Sequence, residues 1–142
     1  MTTVPARIDL DTAYPRVQRF YAAQMQLLDG RDIRGYADTF TEDAEFAHTP
    51  DRTPARTREG IVEDLTDFHR RFADDPMQRR HFVNMIDLRQ ADGGGLRATA
   101  YCLVVKVRPG EPPVFVSCVM HDLLVEEADG RLLTRSRRVE YD

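Results

Sequence analysis

The chain has 142 residues, enough for one domain with a single core. Its net charge is −4, from 20 Lys and Arg against 24 Asp and Glu, which argues against the basic face of a nucleic-acid binder. No stretch approaches the ~20 apolar residues that cross a bilayer, so neither nucleic acid nor a membrane is expected as a partner.

Residues 1–11 are polar, contain Pro5 and read as a loose arm without a secretory signal, so the expected location is cytoplasmic. From residue 12 to 28, Tyr14, Val17, Phe20, Tyr21, Met25 and Leu28 recur at helical spacing, with Asp11 or Thr12 as the cap. Asp29-Gly30-Arg31-Asp32 stops that helix, and Asp32 caps a short second one carrying Ile33, Tyr36, Ala37 and Phe40. Residues 44–49 form a short strand with Ala44, Phe46 and His48 on one face. A loop over 50–57 leads through Glu59-Gly60 to a third helix, whose apolar spacing runs Ile61, Leu65, Phe68, His69, Phe72. The period then changes to two. Strands are predicted over 80–91, 96–108, 114–127 and 132–141, with Gly93-Gly94-Gly95 and Asp129-Gly130 as turns.

Helices segregated from an antiparallel meander describe an α+β domain. Both faces of the long strands are apolar: Tyr101, Leu103, Val105 and Val107 on one, Ala98, Ala100, Cys102 and Val104 on the other. The helices can cover one face, and a second copy of the chain is the simplest cover for the other, so a homodimer is predicted. Cys102 and Cys118 lie outside any CxxC motif and read as buried free thiols. Arg135, Arg137 and Arg138 read as a solvated strand face or an interface.

The best clue to chemistry is histidine, the side chain that titrates nearest neutrality. His48, His81 and His121 stand on separate strand-like segments that could fold around one cavity, whereas His69 beside Arg70 and Arg71 reads as surface or boundary. His81 is the leading acid/base candidate and His121 the second proton carrier or a donor to the carbonyl. Alternation places His81 with Val83 and Met85, and His121 with Leu123, leaving Asp122 on the opposite face. The predicted wall comprises Tyr21, Met25, Phe46, His48, Phe68, Phe72, Val83, Met85, Cys102 and Leu123, with Tyr21 and Tyr101 as hydrogen-bond donors to a ligand oxygen. Asp38 and Asp43 read as helix-end residues. No metal-ligand spacing and no phosphate-binding glycine motif is present, so no metal or nucleotide is indicated.

The order of elements, the run Tyr21, Asp32, Phe40, Asp43-Ala44, and the strand opening Arg80-His81-Phe82-Val83-Asn84 resemble the NTF2-like superfamily. Within it the chain looks most like the SnoaL-like and scytalone dehydratase-like branch, which includes small polyketide-tailoring proteins of antibiotic biosynthesis. The resemblance covers residues 12–141 and implies one domain over 1–142. Its fold would be a cone-shaped α+β barrel, with three N-terminal helices packed in a curved, mostly antiparallel sheet. It also implies cofactor-independent chemistry on an aromatic or polyketide carbonyl compound, of the lyase or isomerase kind: dehydratase, isomerase or cyclase. His81 falls where the scytalone dehydratase-like branch has a catalytic histidine. His121 falls near a pocket asparagine, Cys102 near a second histidine and Phe46 near a pocket tyrosine. Where the first helix should supply a tyrosine and an aspartate, this chain has Met25 and Gln26, which puts scytalone-type dehydration in doubt. The alternative is a non-catalytic protein that holds a pathway intermediate or partners an oxygenase.

Overall fold

The structure is a computed structural model that describes residues 7–142. It comprises α1 (Leu10–Asp29), α2 (Ile33–Ala37), β1 (Phe40–Ala47), β2 (Ala55–Arg56), α3 (Thr57–Arg71), β3 (Gln78–Gln90), β4 (Leu96–Val107), β5 (Val114–Glu126) and β6 (Leu132–Tyr141). The strands form one sheet in the order β2-β1-β6-β5-β4-β3. β3 to β6 are an antiparallel meander, and β1 inserts parallel to β6, so the sheet is mixed. It is also open: β2 and β3 are its two edges, and the expected barrel does not close. β2 lies within residues 50–57, where a plain loop was predicted, and pairs with β1.

Part of the predicted arm, residues 1–6, lies outside the described residues. The rest of it is anchored. Ile8 N–H donates to Gln90 Oε1 at 3.2 Å, and Gln90 Nε2 donates back to the Ile8 carbonyl. α1 begins earlier than predicted because Asp9 is its cap, accepting from Asp11 N–H at 3.1 Å and Thr12 Oγ1 at 2.8 Å. Asp32 caps α2 as expected, accepting from Gly35 N–H at 2.9 Å.

α1 buries Ala13, Val17, Tyr21 and Met25 against Ile86, Leu88, Leu96, Ala98, Ala100, Met120 and Leu124 of the sheet's inner face. A second cluster joins Tyr36 and Ala37 of α2, Phe40, Ala44 and Phe46 of β1, and Ile61 and Leu65 of α3. A third, of Cys102, Val104 and Cys118 with Val116, shares its flanking Val83 and Val139 with the first. α1 ends at Asp29. The apolar inner face represented by the third cluster is left to line a cavity.

The register of β3 decides what faces that cavity. Asn84 pairs with Tyr101, but the next pair is Asp87 with Thr99, so Met85 and Ile86 together oppose one residue. This is a β-bulge, with Met85 in the left-handed region at φ 51°. Before it, Arg79, His81 and Val83 face inward; after it, Ile86 and Leu88 do. Strict alternation would have put Met85 inside, whereas the bulge turns it out to 67% exposure. In the turn between β3 and β4, Gly95 sits at φ +85°, and a Cβ there would lie 2.6 Å from the Leu124 carbonyl oxygen, so only glycine fits without displacement.

Candidate active site

A cavity of about 240 Å³ opens between the C-terminal end of α1, α2, α3 and the inner face of β3 to β6. Two histidine–aspartate pairs stand on it. Asp29, the last residue of α1, accepts from the His81 backbone N–H at 3.0 Å through Oδ2, and its Oδ1 lies 2.5 Å from His81 Nδ1. One carboxylate thus fixes both the strand and the ring. Because the carboxylate accepts, the neutral ring carries its proton on Nδ1, and the Nε2 lone pair is free. His48, just past the end of β1, places Nε2 2.5 Å from Asp64 Oδ2 of α3. Its ring stacks on Phe46 at 4.7 Å and meets Phe68 edge-on at 5.6 Å.

A third histidine joins them. His69 lines the cavity, and its Nε2 is buried with no hydrogen-bond partner. Burial, then the charges of Arg31 and Arg79, push its pKa down, so it stays neutral there. His69, read as surface or boundary, is thus a half-buried boundary residue, and its place one turn after Leu65 along α3 turns its ring to the cavity.

Of the residues named from sequence, Met25, Phe46, His48, Phe68, Phe72, His81 and Cys102 line this cavity together. Val83 packs beside it, against Cys102 and Cys118. Tyr21 is buried away from it, its hydroxyl donating to Asp122 Oδ2 at 2.8 Å. Met85 is on the outer surface for the reason given above. Tyr101, 62% exposed, is also on the outer face, because Cys102 beside it faces in. The same alternation on β5 turns Cys118, Met120, Asp122 and Leu124 inward and His121 and Leu123 outward. His121 lines a different groove with Glu45, Arg97 and Arg138, so the three strand histidines do not meet. Asp122, expected on the opposite face, thus points inward.

Beneath the cavity lies a buried polar network. Arg137 donates from Nε to Asp122 Oδ1 at 2.9 Å and from Nη2 to Asp122 Oδ2 at 2.7 Å. It also donates from Nη2 to Gln24 Oε1 at 2.6 Å and from Nη1 to Tyr36 Oη at 2.8 Å. Burial opposes the Arg137 charge, but Asp122 outweighs it and raises the guanidinium pKa well above its ordinary value. Arg137 is thus neither a solvated strand residue nor a surface interface residue, as its place in the basic cluster had suggested. Cys102 and Cys118 are buried free thiols, as predicted. Burial, then the neighbouring Cys118, push the Cys102 pKa up to about 12, so Cys102 is an apolar wall and not a nucleophile.

Several lining residues escaped the sequence: Asp29, read only as part of a helix stop; Tyr36; and the cations Arg31, Arg79 and Lys106. Among the described residues, no three His, Cys, Asp or Glu side chains converge as a metal-binding group. No helix among them is long and apolar enough to cross a membrane.

The SnoaL-like domain family matches residues 12–138 of the chain. The solved structure of ActVI-ORFA from Streptomyces coelicolor is 52% identical, covers 91% of this chain and 97% of its own, and superposes with a TM-score of 0.84. A protein from Catenulispora acidiphila, solved in complex with S-DNPA, is 44% identical over 93% of this chain and 95% of its own, with a TM-score of 0.85. Aln2 from a Streptomyces species is 31% identical over 96% of this chain and 95% of its own, with a TM-score of 0.84. No curated protein matches the chain. With a family match across nearly its whole length and the same open-sheet architecture as these structures, the chain belongs to the SnoaL-like family of the NTF2-like superfamily.

Proposed function

We propose that the chain is a polyketide-tailoring enzyme that acts on an aromatic or polyketide carbonyl compound by proton transfer, without a cofactor. The observation that carries this reading is the His81–Asp29 pair on an apolar cavity. The Catenulispora relative solved with S-DNPA supports a small-molecule ligand for this chain as well. His81 Nε2 takes a proton from the carbon beside the carbonyl, and Asp29 stabilises the imidazolium that forms. The resulting enolate oxygen needs a donor. Tyr36 supplies one: its hydroxyl already accepts from Arg137, so its own proton is free to point to the ligand. The proton is then returned to a second carbon, which is isomerisation, or to a hydroxyl that leaves as water, which is dehydration. His48, held by Asp64, is the second imidazole on the cavity and takes the role that sequence alone gave to His121.

The test uses 2-tetralone, a flat bicyclic ketone with acidic α-protons. In D₂O the protein accelerates exchange of those protons, followed by NMR. Binding without acceleration would instead make the protein a holder of reactive intermediates.

We further propose that the chain is a homodimer through the outer face of the sheet. Phe82 pairs with Leu103, Tyr101 lies two residues along β4, and Phe115 pairs with Val105. Phe82, Tyr101, Leu103 and Phe115 are 55%, 62%, 39% and 61% exposed, and together they form a contiguous apolar patch. Tyr101→Asp places a charge within it. Sedimentation velocity should show a dimer for the native chain and a monomer for this variant; a native monomer contradicts the assignment.

A further inference from the structure

The cavity mouth carries positive charge that the proposed proton transfer does not use. Arg79 on β3 and Lys106 on β4 are direct register partners, and both line the cavity. Like charges directly opposite on paired strands are destabilising. Arg31 stands nearby, donating to the Met77 carbonyl at 3.1 Å, and lines the same cavity. The carboxylates within reach are already engaged: Asp75 with Arg108 at 2.7 and 2.8 Å, and Asp29 with His81. Among the described residues, neither Arg79 nor Lys106 forms a salt bridge. This basic mouth occurs in a chain whose net charge is −4, so it is not a by-product of composition.

Arg79 is also held in place. Its guanidinium lies 5.0 Å from the Phe68 ring centre and 5.1 Å from that of Phe72. Burial, then the charges of Arg31 and Arg108, push its pKa below the usual arginine value. An arrangement of this kind is relieved by an anion. The unpartnered His69 Nε2 adds a polar atom in the same region. The cavity, at about 240 Å³, is smaller than the ~300–1,000 Å³ of typical drug-sized sites, so a two- or three-ring ligand reaches out to the mouth.

We propose that Arg79 and Lys106 form an anion subsite, and that the ligand is an aryl compound bearing a carboxylate, seated ring-first with the carboxylate at the mouth. The planar Arg79 fork suits bidentate contact with a carboxylate, and Lys106 adds a point charge beside it. The proposal rests on the cavity being the ligand site and adds a chemical class to that reading.

The experiment compares 2-naphthylacetate with neutral 2-naphthylacetamide, titrated at pH 7.5 and low salt into the native chain, Arg79→Gln and Lys106→Gln, with thermal melting of each variant. The native chain should bind the acid about tenfold or more tighter than the amide, the usual scale of a charge-assisted hydrogen bond. In Arg79→Gln the ratio of the two affinities should fall towards one, and in Lys106→Gln it should fall part of the way. Lys106→Gln should not melt earlier than the native chain, because it removes a like-charge repulsion, whereas Arg79→Gln also gives up its contacts with Phe68 and Phe72 and should melt slightly earlier while staying folded. Equal native affinity for both probes overturns the anion subsite while leaving the cavity as an aryl site. A preference for the acid that survives both substitutions also overturns it. If neither probe binds the native chain, the cavity reading fails, and this proposal fails with it.

Discussion

Replacing His81 by asparagine should lower the α-proton exchange of 2-tetralone by about 10²–10⁴-fold, the usual contribution of a positioned acid/base. The side chain is 19% exposed and Asp29 is 15% exposed, so the pair is shielded yet reachable from the cavity. Asparagine keeps a polar group of similar reach but has no lone pair basic enough to take the proton. The fold should survive, because the anchor that ties β3 to α1 is the His81 backbone N–H to Asp29, and that bond remains. Asp29→Asn tests the positioning role. It loosens the ring without removing the base, so kcat should fall while KM for 2-tetralone holds. Unchanged exchange in His81→Asn would contradict the mechanism.

The largest expected loss of stability comes from Arg137→Met. Both side chains of the Arg137–Asp122 pair are completely buried. Removing one partner of such a pair leaves an uncompensated charge and costs about 3–5 kcal/mol. Total stabilities run about 5–15 kcal/mol, so the variant should be marginal, with a Tm lower by on the order of 10 °C. Tyr36 and Gln24 lose partners as well. The double variant Arg137→Met with Asp122→Leu should recover much of the loss, because the orphaned carboxylate is gone. Calorimetry of the two variants checks this, and a double variant no more stable than the single one would show that the network, not the charge, dominates. The Arg34–Glu59 pair has better distances than many, 2.6 and 3.1 Å, but it lies on the surface, and breaking it should scarcely move the melt.

Much of this architecture is legible in periodicity. The 3.6-residue spacing of Val17, Tyr21 and Met25 locates α1, and the period of two locates all four long strands. What periodicity cannot register is a change of phase. The bulge at Met85 reverses inside and outside along β3, and nothing in the local residue types announces it. On β5 the phase was readable, but a single strand does not say which of its faces the helices will cover, so His121 was placed inside and Asp122 outside. Whether charged side chains meet depends on tertiary contact. Asp29 and His81 are 52 residues apart, and Asp122 and Arg137 are joined only by register across β5 and β6. Arg137 therefore looked like its solvated neighbours Arg135 and Arg138. Of the two histidines singled out first from the sequence, His81 lines the cavity and His121 does not, because a histidine early in the first long strand keeps its face ahead of the bulge.

The central claim is that ligand chemistry occurs at the inner cavity with His48 and His81, and not at the outer groove with His121. NMR titration of the four imidazoles with and without 2-tetralone tests it directly. Ligand-induced shifts are expected at His48, His69 and His81, with His121 unmoved. Shifts confined to His121 would place the ligand on the outer face and contradict it.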